Sequence, residues 1–374
     1  MNSFIPRAAD PRTMKRINVG IIGCGLMGNM HAMSVMNCID EGVFAGKADI
    51  KLHAIADTDE NTLAQRADLY EVPVRTADGH ELCKDKDIDV IYVCTPTKYH
   101  AEFVVDAARH GKHVFVEKPL GTIPQIKDMI AARDAGKVTC QVGLVLRFDP
   151  LYWYVKRLVA EKAKDFGPMQ NVIFRDDQDY PYLGSGRHPS KWRADKDLAY
   201  HGTLFEHSIH DMDQLVQICG DVESLAASVK CFNDKPDIED SATVLLNFKS
   251  GASGSLTSVW YAADRDSRRG EFYFKNAVLE IVPGMLGIGS LHYKVLSEPD
   301  VKAGQDEIQA AFLGTVFKGM KVPPSHAYFY ETVAFLRAII DGTPPPTPLE
   351  DALDVHELIE ACYEASRGKK VVTF

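Results

Sequence analysis

Three glycines, Gly23, Gly25 and Gly28, stand between the apolar run INVGII and the helix-like stretch LMGNMHAMSVMNCI. A G-x-G-x-x-G spacing at that position admits few folds. The first glycine turns the chain out of a strand, the second leaves the backbone bare, and the third lets helix and strand pack closely. The first N–H groups of the helix lack intrahelical partners, and its dipole is positive at that end, so an anion is the expected guest. Leu26 and Met27, inside the same turn, join the glycines as candidate binding residues.

The alternation continues beyond this turn. A strand IKLHAIAD, a helix over Glu60 to Tyr70, a strand DVIYVCTP and a helix over Ala101 to His110 follow. After them come a strand KHVFVEKP, a helix over Gln125 to Ala135 and a strand VTCQVGLVL. Strands that are apolar throughout, each separated by a helix, predict a parallel sheet covered on both faces. After Arg147 the pattern changes to alternating runs, SLAASVKCF, SATVLLNF, GSLTSVWY and EFYFKNAVLEIV, which predict antiparallel strands. The expectation is an α/β N-terminal Rossmann dinucleotide-binding domain over 16–147. An α+β domain with an open, mainly antiparallel sheet follows over 148–374, and 1–15 forms a disordered leader. Residues 283–324 read as an insertion, and helices over Tyr328 to Ile340 and Leu349 to Ser366 close the chain.

Asp57 ends the second strand, where the ribose-binding acid of such a unit stands. A carboxylate there accepts both ribose hydroxyls and repels a 2'-phosphate, and no Arg follows before Arg66, so NAD is expected over NADP. Asp57 lies beyond the usual ~20 residues because NCIDEGVFAGKAD lengthens the first crossover. Thr95, Pro96 and His100, in CTPTKYH, fall at the carboxyl end of a parallel strand and are expected to line the cofactor channel. His100 serves equally well as a packing or capping residue. Glu117 and Lys118, in VEKP, end another such strand. A lysine there can donate to a substrate oxygen, and desolvation or nearby cations lower its pKa toward the working range.

Composition excludes several alternatives. Lys and Arg total 42 against 52 Asp and Glu, a formal charge of -10, which lacks the basic excess of a nucleic-acid binder. Eight cysteines are scattered without a CxxC pair, as in a reduced, cytoplasmic protein. No apolar run approaches the ~18 residues of a membrane span, so no membrane partner is expected.

In this order and spacing, GIIGCGLMGNMH, IAD, VIYVCTPTKYH and GKHVFVEKPLG resemble the Gfo/Idh/MocA family, which includes inositol dehydrogenase and glucose-fructose oxidoreductase. GLVLRFDP and the tract from YETVAFLRAIIDGTPPPTP onward extend the likeness over most of the chain. The resemblance implies that Lys118, the EKP lysine, takes part in catalysis. It also implies that His210 in HGTLFEHSIHDMD is the catalytic histidine, with Glu206 in the place of the family's usual aspartate. On one helix Glu206, His210 and Asp213 share a face. His210 would then take the hydroxyl proton of a secondary alcohol on a sugar, polyol or inositol, Glu206 would fix its tautomer, and Lys118 would bind the same oxygen. A homodimer or homotetramer is implied by the resemblance alone.

Arg147, Tyr180, Lys191, Trp192, Arg193 and Tyr328 are of types that bind hydroxyl-rich ligands. They serve equally as domain-interface ion pairs or core aromatics. His201, His207, His210, Glu206, Asp211 and Asp213 suggest a metal site, but EHxxH is not HExxH, so no metal is expected. Two other readings keep the same fold: NAD-dependent glycoside cleavage through transient sugar oxidation, and a dinucleotide-binding sensor without turnover.

Overall fold

A computed structural model describes residues 14–182, 190–262, 267–282, 289–317 and 327–374. Most of the expected leader lies outside the described residues, and so do Gly184 and Gly186, at which the sequence predicts a loop after NVIFRDD. Lys15 already begins the first strand.

Six strands form the first sheet: β1 (Lys15–Ile22), β2 (Ala48–Ala56), β3 (Val74–Thr76), β4 (Val90–Val93), β5 (His113–Val116) and β6 (Cys140–Val142). They lie in the order β3-β2-β1-β4-β5-β6, and all pairs are parallel. Every residue of β4 is buried, which explains why the strand reads as an unbroken apolar run. The chain reverses its direction of travel across the sheet between β1 and β4. Their carboxyl ends therefore part and open a crevice. The glycine turn after β1, CTPTKYH after β4 and EKP after β5 all emerge on that edge.

The second sheet holds β7 (Met169–Asp179), β8 (Val222–Lys230), β9 (Ser241–Phe248), β10 (Ser253–Tyr261), β11 (Ser267–Phe274), β12 (Ala277–Val282), β13 (Ser290–Val295), β14 (Val301–Ala303) and β15 (Val372–Thr373). Their order is β14-β13-β12-β11-β7-β10-β9-β8-β15, antiparallel except where β7 runs parallel to β10. The strands β9 and β10 bury alternate residues. One face of this sheet is therefore covered, by the helices Pro150–Glu161, Ile209–Cys219 and Leu349–Gly368. The other face leaves Ile173 and Leu245 exposed. The tract read as an insertion supplies β13, β14 and the helix Gln305–Val316, so its described part extends the sheet edge.

The helix Ala327–Asp341 returns to the first sheet. Its Phe329, Val333, Phe335 and Leu336 pack with Ile17, Val19, Tyr92 and Phe115 in one core. Burying each such side chain stabilises the junction of the two halves by roughly 1.5–3 kcal/mol.

One expectation fails locally. Glu206, His210 and Asp213 do not share a continuous helix: a short helical piece, Thr203–Glu206, ends at His207, and a second helix begins at Ile209. The Ser208 N–H reaches back to the Thr203 carbonyl at 3.0 Å, and its hydroxyl donates to Asp176 Oδ2 at 3.3 Å. Ser readily takes such local bonds in place of helix propagation.

Candidate active site

The glycine turn has the shape its motif requires. Gly23 adopts φ +91°, and a Cβ there would meet the Cys94 backbone at 2.7 Å. A Cβ on Gly28 would lie 1.8 Å from the Gly23 carbonyl oxygen, whereas one on Gly25 would meet nothing within 4 Å. The helix Leu26–Asp40 starts without a side-chain cap or an acidic residue in its first turn. Bare backbone beside an uncapped helix start fits a pyrophosphate. Leu26 is 41% exposed and Met27 part-buried at the same mouth. Asp57 follows β2, its Oδ2 accepting from the Cys24 N–H at 2.6 Å and its Oδ1 from the Asp59 N–H at 2.9 Å. The acid thus braces the glycine turn from the end of β2.

Pro96 caps the 3-10 turn Thr97–Tyr99. His100 is buried and bridges the Pro119 carbonyl (2.7 Å) and the Thr95 carbonyl (2.8 Å), tying two strand-end turns together. Burial lowers its pKa despite both carbonyls. Thr95 Oγ1 is buried without a partner.

Glu117 is 5% exposed, and its Oε1 meets His31 Nε2 at 2.8 Å. Burial alone would raise this carboxyl, but the His31 bond and the neighbouring cations hold it below its ordinary value. Next along the chain, Lys118 sends its Nζ to the main-chain carbonyl of Glu206 at 2.6 Å. Burial and then Arg193 bring the lysine down to about 8, against the pull of Glu206 and Glu117.

On the other side of the crevice, His210 is 8% exposed and its Nδ1 is buried without a partner. Burial, then Lys118 and Arg268, hold its pKa well below the ordinary value, so the ring is neutral. Glu206 does not orient it. The Glu206 carboxylate accepts from Thr97 Oγ1 at 3.0 Å and from Arg193 Nε at 2.9 Å, facing the parallel-sheet half. The helix break explains this change of partner. Asp213 is likewise committed elsewhere, to Arg147 at 2.6 Å.

Arg147 bridges Asp213 and Asp351, as in its alternative reading of a domain-interface ion pair. Tyr180 donates to Asp240 Oδ2 at 2.7 Å, and with Tyr182 and Trp192 it packs around Trp260. Trp192 carries the Arg193 guanidinium over its ring at 4.5 Å. Lys191 is exposed. Tyr328 lies edge-on to His31 at 5.8 Å, and burial raises its phenol, which stays protonated. The histidines go separate ways: His201 stacks on Tyr363, His207 accepts from Trp260, and His210 keeps a buried Nδ1 without a hydrogen-bond partner. Among the described residues, no group of three His, Cys, Asp or Glu side chains is placed to hold a metal.

Several site residues carried no sequence expectation. Thr97 ties the halves together through Glu206. Arg268 forms ion pairs with Asp211 (2.6 Å) and Asp176 (3.3 Å) beside His210, across strands that pair at a separation no local pattern reveals. His31, three residues after Gly28, is on the sheet-facing stripe of its helix, and that position is the one signal available.

Comparison with known proteins adds a family context. A model described as an oxidoreductase family with an NAD-binding Rossmann fold matches residues 17–144, and one described as the GFO/IDH/MocA C-terminal domain matches 152–280. Myo-inositol 2-dehydrogenase of Thermotoga maritima is 30% identical over 64% of this chain and 67% of its own length. The scyllo-inositol 2-dehydrogenase (NAD(+)) of Bacillus subtilis is 25% identical over 95% of this chain and 96% of its own. Levoglucosan dehydrogenase in complex with NADH and L-sorbose superposes with a TM-score of 0.82 at 22% identity, covering 96% of this chain and 99% of that one.

Proposed function

Because the chain belongs to the Gfo/Idh/MocA oxidoreductase family, with that family's NAD-binding Rossmann fold as its N-terminal half, we propose that it moves a hydride between NAD and a secondary alcohol of a sugar, polyol or inositol. The observation that carries this reading is the 2.6 Å bond from Lys118 to the Glu206 carbonyl. It draws the lysine of one sheet's edge to within four residues of His210, which stands on the other sheet's helix.

When bound over the glycine turn, NAD supplies the hydride acceptor. The chain's own groups handle the proton and the orientation. A group titrating near the working pH exchanges protons most effectively, and Lys118, held at about 8, meets that condition better than His210. In oxidation the neutral amine of Lys118 takes the hydroxyl proton as the carbon–oxygen bond shortens. In reduction its ammonium returns one. His210 contributes a neutral imidazole at the same oxygen. Becoming an imidazolium would set a second buried cation beside Lys118 and Arg268. Glu117, fixed by His31, and Glu206, fixed by Thr97 and Arg193, hold carboxylates near the lysine and limit how far its pKa falls.

A screen of inositols, aldoses and glycosides with NAD and with NADP, read by reduced-nicotinamide absorbance, tests the proposal. Accumulating NADH with a cyclic polyol or sugar supports it. Glycoside cleavage without net NADH, or binding of NAD with no turnover of any such compound, overturns it.

A further inference from the structure

His207 occupies the break between the two helical pieces and has no part in the chemistry above. Trp260 Nε1 donates to its Nδ1 at 2.5 Å, with the rings edge-on and their centroids 5.3 Å apart. An indole nitrogen is a donor only, so Nδ1 must be the bare nitrogen, and a neutral ring then carries its hydrogen on Nε2. Trp260 itself is 1% exposed in β10 and packs edge-on against Tyr182, so this lock has a fixed anchor. Protonating Nδ1 would set two donors against each other. Burial resists the imidazolium first, and Arg193, Lys118, Arg268 and His210 each add to that resistance.

His207 directly follows Glu206, whose carbonyl takes the Lys118 ammonium at 2.6 Å, and its own carbonyl accepts from the His210 N–H at 3.2 Å, which puts it on the border of the reaction centre. The residue is part-buried, and among the described residues no hydrogen bond takes up Nε2. We propose that His207 is a specificity-determining contact: its Nε2–H, fixed by Trp260, donates to a substrate oxygen other than the reacting one and exchanges no proton. The ligand class is a compound with a hydroxyl or ring oxygen near the oxidised carbinol, and the proposal rests on the dehydrogenase reading above. A neutral donor suits such an oxygen, whereas a fourth cation would favour a carboxylate or phosphate instead.

Two measurements test it on the full-length protein with NAD bound. Nitrogen-15 NMR of the His207 ring should report a bare Nδ1 and a protonated Nε2 across about pH 6 to 8. An Nδ1–H tautomer or an imidazolium in that range overturns the lock. In kinetics, His207→Asn keeps an acceptor for Trp260 but removes the outer donor, while His207→Gln extends an amide toward the lost position. The expected result for His207→Asn is a KM about tenfold higher with kcat within about threefold, an unshifted pH profile, and partial recovery in His207→Gln. An unchanged KM, or a collapse of kcat with a shifted pH profile, overturns the assignment. Should the wild type turn over no sugar or polyol, the dehydrogenase reading fails by itself. In that case addition of myo-inositol to the NADH complex decides for His207. Movement of its Nε2 signal supports the contact, and binding that leaves the signal in place overturns it.

Discussion

The Thr97 hydroxyl donates to Glu206 Oε1 at 3.0 Å, so this carboxylate is held by the parallel-sheet half and not by the histidine four residues on. Glu206 therefore acts on Lys118 and Arg193. Its negative charge raises the lysine's pKa, and its Oε2 pairs with Arg193 at 2.9 Å. Glu206→Gln should move the Lys118 titration to lower pH, seen as an acid shift of the pH profile for polyol oxidation. Breaking the buried pair should also cost about 3 kcal/mol in a denaturant titration. A profile that stays in place removes Glu206 from the control of Lys118.

The direction of reaction should decide the sign of the pH dependence. Oxidation needs the neutral amine of Lys118, so kcat/KM should climb with pH until about 8 and then level off. Reduction needs the ammonium and should fall above the same value. Lys118→Ala should abolish both limbs and lower the rate by at least ~100-fold while NADH still binds. Identical profiles in the two directions would contradict the assignment.

His210→Ala removes the neutral imidazole from the reacting oxygen without touching the glycine turn. The expected loss is about 100-fold in kcat/KM, with the Kd for NADH, followed by fluorescence, unchanged. Retained turnover would take His210 out of the mechanism.

The second and third glycines of the turn should respond differently to alanine. At Gly28 the added methyl falls 1.8 Å from the Gly23 carbonyl oxygen, so folding itself should suffer. At Gly25 the methyl meets no protein atom and only enters the space for the pyrophosphate. Gly25→Ala should keep the wild-type Tm while weakening NAD by about tenfold or more, as calorimetry can measure. Equal loss of Tm in both variants would argue that the turn serves packing alone.

Arg147 separates a structural from a ligand role. Arg147→Met leaves Asp213, which is 1% exposed, without its cation and should lower stability by about 3–5 kcal/mol. The KM for a polyol should hold in whatever fraction stays folded. A rise in KM with intact stability would restore Arg147 to the substrate site.

Much of the architecture is legible in the residues. The G-x-G-x-x-G turn, the apolar strands separated by helices, and the shift to alternating runs after Arg147 all report local periodicity, which a buried sheet or a half-covered one imposes directly on sequence. Asp57 and Lys118 were legible for the same reason, because each terminates a strand whose carboxyl end must face the crevice. Helical spacing failed between Glu206 and His210, since it assumes an uninterrupted helix and Ser208 breaks this one with bonds to Thr203 and Asp176. Tertiary packing alone decided the partners of Glu206, the committal of Arg147 to Asp213 and Asp351, the arrival of Arg268 from β11, and the lock of Trp260 on His207. Each of these joins residues far apart in the chain or across the helix break. A side chain's hydrogen-bond partner depends on which surfaces meet after folding, and one-dimensional spacing carries no record of that meeting.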